Sequence, residues 1–190
     1  MKSAKSSSAT PPHAPLPNRA GKPAVQTSRA TPPRGKRILL VDDDPAVRDS
    51  LNDVLVAEGY VVTPAENGQQ ALDLVNQSGF DLALLDLNMP VKNGWDTFEQ
   101  LTREYPLLPI VIVTARPNQF FTAVSAGVGA LMEKPMDIPA LLQTMRRLLA
   151  ENPEKRLARL VGRNTEFYYK PATAIHQSSP PCKASLPRPY

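Results

Sequence analysis

Four short apolar runs, each ending in a polar residue with useful chemistry, constrain this chain more than any other feature. Ile38-Leu39-Leu40-Val41 runs into Asp42-Asp43-Asp44-Pro45, and Leu82-Ala83-Leu84-Leu85 runs into Asp86. Ile110-Val111-Ile112-Val113 runs into Thr114, and Ala130-Leu131-Met132-Glu133 runs into Lys134-Pro135. A short apolar run bounded by turn signals reads as a strand buried on both faces, as in a parallel sheet. Pro90 and Asn93-Gly94 stop a helix from starting directly after Asp86 and open a loop there. In a parallel sheet the carboxyl ends of all strands emerge at one edge, where open α/β sheets bind ligands. An acidic pair, an aspartate, a threonine and a lysine therefore converge on one place. Buried carboxylates are costly unless paired, so this convergence is more informative than any single residue in it.

The segments between the runs have helical spacing. Asp44 is placed as an N-cap with Pro45 at the first helical position, and Val47, Leu51, Val54 and Leu55 then share a face that Gly59 closes. Tyr60-Val61-Val62-Thr63 reads as a short second strand. Gly68 opens a helix with Ala71, Leu72 and Val75 inward; Trp95, Phe98 and Leu101 form the inward face of the next. Phe120, Phe121 and Val124 mark a fourth helix. Ile138, Leu141, Leu142, Met145, Leu148 and Leu149 mark a strongly amphipathic fifth. Five strands alternating with five helices predict a parallel α/β domain over residues 36–150, long enough for one core.

Composition separates the ends from this domain. The 21 prolines concentrate outside it. Residues 1–37 carry eight Lys/Arg and no acidic residue, residues 38–150 seven against fifteen, and residues 151–190 seven against three. The net charges are thus +8, −8 and +4, matching the overall +4. Residues 1–35, basic and rich in Pro and Ser, lack the apolar content to offset the entropy of ordering, and disorder is expected there. The same holds for most of the basic, Pro-rich stretch 151–190, where Leu157, Leu160 and Val161 support only a short helical turn. Cys182, His13 and His176 all lie in these ends, so no zinc pattern or Ser/His triad can be assembled. No secretory leader, membrane span or dedicated DNA-binding domain is expected, and the cysteine usage fits the cytoplasm.

Val41-Asp42-Asp43-Asp44-Pro45, Asp86-Leu87-Asn88-Met89-Pro90 with Gly94, Thr114-Ala115 and Lys134-Pro135 resemble the receiver domain of two-component response regulators. The resemblance covers about residues 36–150. It implies a doubly wound, flavodoxin-like sheet of five parallel strands in the order 2-1-3-4-5. It implies a stand-alone receiver that is not an enzyme. Asp86 would be the phospho-acceptor, with Asp43, Asp86 and the carbonyl of Asn88 holding Mg²⁺, and Asp42 beside them or acting through water. Lys134 would neutralise an acyl-phosphate oxygen, and Thr114 would donate its hydroxyl to another. The implied partners are a histidine kinase or phosphotransfer protein and a downstream protein, with room for a weak homodimer. Leu131 departs from the pattern, because the family usually carries an aromatic three positions before the lysine. The span from Thr114 to Lys134 is also shorter than usual.

Two other readings stay open at this point. One is an aspartate-nucleophile phosphatase of the dehalogenase-like kind, although its motif asks for Thr or Val where Ala46 stands. The other is a nucleic-acid or scaffold protein acting through its basic ends.

Overall fold

The computed structural model describes residues 35–89, 93–116, 118–163 and 166–172. The expectations for residues 1–34 and 173–190, including His13, His176 and Cys182, lie outside the described residues.

Strands β1 (Arg37–Val41), β2 (Val61–Ala65), β3 (Leu82–Asp86), β4 (Ile110–Thr114) and β5 (Ala130–Glu133) alternate with helices α1 (Pro45–Ala57), α2 (Gly68–Gln77), α3 (Gly94–Glu104), α4 (Phe120–Ser125) and α5 (Ile138–Leu149). Every pairing is parallel, with Ile38 opposite Leu82, Ala83 opposite Ile110 and Val111 opposite Ala130. The expected order 2-1-3-4-5 holds and continues into a sixth strand, β6 (Tyr168–Lys170), parallel to β5. Helix α6 (Pro153–Leu160) precedes it.

Because side chains alternate along a strand, each central strand feeds two cores. Leu39, Val41, Ala83, Leu85, Ile110, Ile112 and Leu131 pack with Ala71, Leu72, Phe98, Leu101 and Ala123 from α2, α3 and α4. Ile38, Leu40, Leu82, Leu84, Val111, Val113 and Met132 pack on the other face with Leu51 and Leu55 of α1 and Leu141, Met145 and Leu148 of α5. Each fully buried leucine contributes about 1.5–3 kcal/mol. The helix starts follow the local chemistry: Asp44 accepts from the amides of Ala46 and Val47, Asn67 from Gln70, Asn93 from Trp95 and Asp137 from Ala140.

The expected fourth helix forms over Phe120–Ser125. Helix α4 turns Ala123 inward, leaving Phe121 80% exposed with Phe120 and Val124 at the surface. Phe120 is instead covered by Phe167 and Tyr169, whose rings lie edge-on at 5.4 and 5.1 Å. Beyond residue 150, where a short helical turn is expected, the described residues form a helix over 153–160 and a strand over 168–170. Helix α6 is anchored by two buried arginines rather than by an apolar stripe. Arg159 forms a two-pronged pair with Glu151, Nη1 to Oε1 at 2.7 Å and Nη2 to Oε2 at 2.5 Å, and its Nη1 also donates to the Glu166 carbonyl at 3.2 Å. Arg156 Nε donates to the Pro106 carbonyl at 2.7 Å. Burial, with Arg159 alongside, pushes the Arg156 guanidinium down to about 10, still cationic at neutral pH. Two buried guanidinium groups, held through Arg156 Nε and the two Nη atoms of Arg159, replace the apolar face that the sequence lacks.

Candidate functional site

The strand ends deliver their polar residues to the same edge of the sheet. Asp42 follows β1 and Asp86 ends β3, at 2% and 4% exposure. Lys134 follows β5 and lays its ammonium between them, Nζ to Asp42 Oδ2 at 2.8 Å and to Asp86 Oδ2 at 2.9 Å. The second oxygens are held by the backbone: Asp42 Oδ1 accepts from the Asp44 amide and Asp86 Oδ1 from the Asn88 amide, both at 3.0 Å. These turns fix each carboxylate without a second side chain. Asp43 is half-buried, and carboxylate oxygens of Asp42, Asp43 and Asp86 lie within 4.8 Å of one another.

Thr114 closes β4, fully buried, its Oγ1 accepting from the Arg116 amide at 3.0 Å. The β4–β5 register sets Thr114 opposite Glu133, and the Lys134 amide donates to the Thr114 carbonyl at 2.8 Å. The threonine and lysine are therefore locked to each other through the backbone. Gly94 lets α3 begin against β3. A Cβ there would sit 2.4 Å from Leu87 Cα and 2.5 Å from the Asp86 carbonyl, so a side chain would push the backbone beneath Asp86.

Electrostatics follow from three acids facing one ammonium. Burial raises the Asp42 carboxyl above its ordinary value, with Lys134 and the Asp44 amide pulling it back. Burial works against the charged Lys134, but its bonds to Asp42 and Asp86 outweigh this and raise it. The cluster thus holds more negative charge than its lysine neutralises. Carboxylate oxygens are the ligands a hard divalent cation prefers, and the cluster of Asp42, Asp43 and Asp86 fits Mg²⁺ on that ground.

All six sequence-derived residues, Asp42, Asp43, Asp86, Asn88, Thr114 and Lys134, come to this edge. Two further residues were missed. Arg48 Nη1 donates to the Asp42 carbonyl at 2.7 Å, and exposed Arg116 donates from Nε to Asn88 Oδ1 at 3.0 Å. Neither stands at the end of an apolar run or in the motifs that carry the resemblance, the two signals that marked the others. Trp95, expected inward, packs edge-on against Phe98 at 5.7 Å while its indole N–H donates to Gln119 Oε1 at 3.0 Å. This joins α3 to the segment before α4.

Comparison with known proteins agrees with this geometry. A model described as the response regulator receiver domain matches residues 38–146. A protein named response regulator MprA from Mycolicibacterium vanbaalenii is 40% identical over 115 residues, covering 60% of this chain and 50% of the relative. Its namesake in Mycobacterium tuberculosis strain H37Ra is 36% identical over 140 residues, 72% of this chain and 61% of the relative. The chain spans 50–61% of the length of these curated relatives. Among solved structures, a CheY-like receiver domain protein from Methanospirillum hungatei superimposes with a TM-score of 0.59 at 32% identity, covering 64% of this chain and 98% of that one. TrrA of Thermotoga maritima, crystallised in complex with Mg²⁺-BeF, gives 0.56 at 30% identity, covering 60% and 98%. The chain belongs to the response regulator receiver domain family.

Proposed function

We propose that Asp86 accepts a phosphoryl group from a histidine kinase or phosphotransfer protein, and that the resulting acyl phosphate signals to a downstream protein partner. The observation that carries this is the ammonium of Lys134 shared between Asp42 and Asp86 at the mouth of the sheet. In the transfer an Asp86 oxygen forms the new P–O bond as the P–N bond to the donor imidazole breaks, and the donor nitrogen keeps the electron pair. Asp86 is activated by position, its carboxylate needing no general base to act as a nucleophile. Lys134 already touches Asp86, and moves from neutralising the carboxylate to neutralising a phosphoryl oxygen. Thr114 Oγ1 accepts from the Arg116 amide, which leaves its own proton to donate to a second oxygen. Asp43, Asp86 and the Asn88 carbonyl would hold Mg²⁺, with Asp42 beside them. When bound, the ion supplies positive charge against the dianionic group.

The working compartment in this reading is the cytoplasm. Among the described residues no helix is long and apolar enough to cross a membrane.

Incubation with acetyl phosphate and Mg²⁺ is expected to add one phosphoryl mass, and chelation of the metal to prevent it. Asp43→Ala is expected to weaken Mg²⁺ binding by about tenfold or more and to stop phosphorylation. It should leave the melting temperature unchanged or higher, because a like charge is removed. An unchanged Mg²⁺ titration in that variant would refute the metal assignment.

A further inference from the structure

The segment leading into and through β6 touches the loop that carries Lys134 on both sides of that lysine. On the near side, Tyr169 Oη donates to Glu133 Oε1 at 2.8 Å and the Ala172 amide to Glu133 Oε2 at 3.1 Å. On the far side, Lys170 Nζ lies 3.0 Å from Asp137 Oδ2. The other oxygen of Asp137 caps α5 through the Ala140 amide at 3.1 Å. The strand is seated from two directions. Phe120 of α4 packs on Phe167 and Tyr169, and the Arg147 guanidinium of α5 lies 5.1 Å from the ring of Tyr168.

We propose that residues 167–172 are a positioning element for Lys134, acting by holding the Glu133 carboxylate away from its ammonium. The proposal rests on the phosphoryl-acceptor reading of Asp86. Glu133 is the covalent neighbour of Lys134, and a lysine is a point charge on a flexible four-carbon stem. A free, half-buried carboxylate at that position would compete with Asp86 for the ammonium and add negative charge beside an incoming phosphoryl group. Here both Glu133 oxygens are occupied separately, one by a hydroxyl and one by a backbone amide. The anion is satisfied on the β6 side. Lys170 does the same for Asp137, the other acid flanking the lysine loop. Among the described residues, Lys134 is thereby left to Asp42 and Asp86.

The test uses the full chain, Mg²⁺ and acetyl phosphate, with Tyr169→Phe, Lys170→Met and the two combined. Tyr169→Phe keeps the ring against Phe120 and removes only the hydroxyl. The combined variant is expected to be phosphorylated about three- to tenfold more slowly, the equivalent of roughly one net hydrogen bond. Its Mg²⁺ affinity should match wild type, since Lys134 is not a metal ligand. Adding Glu133→Gln to the combined variant is expected to restore the rate, because a neutral amide cannot compete for the ammonium; a merely structural role for β6 gives no such rescue. A wild-type rate in the combined variant, or a loss that Glu133→Gln does not repair, overturns the proposal while leaving Asp86 as acceptor. A wild-type chain that gains no phosphoryl mass overturns the reading of Asp86 and this proposal with it.

Discussion

Asp86→Asn is expected to lose phosphorylation by acetyl phosphate completely while keeping the fold. The asparagine has nearly the shape of the aspartate, and its side-chain oxygen can still accept from the Asn88 amide that now bonds Oδ1. What disappears is the nucleophilic carboxylate oxygen and one of the two acids sharing Lys134. The ammonium retains Asp42 at 2.8 Å, so no buried charge is orphaned, and the melting temperature should stay level or rise. Intact-mass measurement over a time course decides the matter. Wild-type yield in the variant would show that another group is the acceptor, and peptide mapping would then distinguish Asp42 from Asp43.

The largest expected effect on stability lies at the opposite end of the domain's sequence. Arg159 and Glu151 have side chains only 3% and 9% exposed, and their pairing is what seats α6 against the rest. Arg159→Met leaves Glu151 charged, buried and unpaired, and leaves the Glu166 carbonyl without this donor. Breaking a buried pair from one side costs about 3–5 kcal/mol. The loss should appear in the opening free energy of the Tyr168 amide, which donates to the Gly129 carbonyl at 3.3 Å at the start of β6. Arg159→Met combined with Glu151→Leu should recover most of it, since both charges then leave together. Equal losses in the single and the combined variant would show that the pair does not hold α6.

How far the fold could be read from sequence depended on where the information resides. The runs that became β1, β3, β4 and β5 are locally apolar on both faces, and Asp44-Pro45 announces α1 without outside help. The convergence of Asp42, Asp86, Thr114 and Lys134 follows from strand direction alone once the sheet is parallel. Helix α6 and β6 follow no such rule. Arg156 and Arg159 look like solvent-facing charge until their acceptors are known, and those are a carbonyl at Pro106 and the carboxylate of Glu151. The tripeptide Tyr168-Tyr169-Lys170 becomes a strand only because β5 offers a free edge. The partners of Phe120 are equally invisible to local pattern: they are Phe167 and Tyr169, more than forty residues away in the chain. Arg116 carries no pattern at all, and its role beside Asn88 is visible only in space.

The parallel sixth strand also changes what the sheet offers to other chains. Without it the outer margin would be β5, whose Ala130, Leu131 and Met132 are buried and apolar, a row of open amides and carbonyls suited to pairing with any extended peptide. With it, the two margins among the described residues are a three-residue strand carrying a lysine and a β2 that contains Pro64, which has no amide to offer. Short length, charge and proline are the devices by which sheets resist edge-to-edge aggregation. The extension that braces the lysine loop therefore also keeps the sheet from growing.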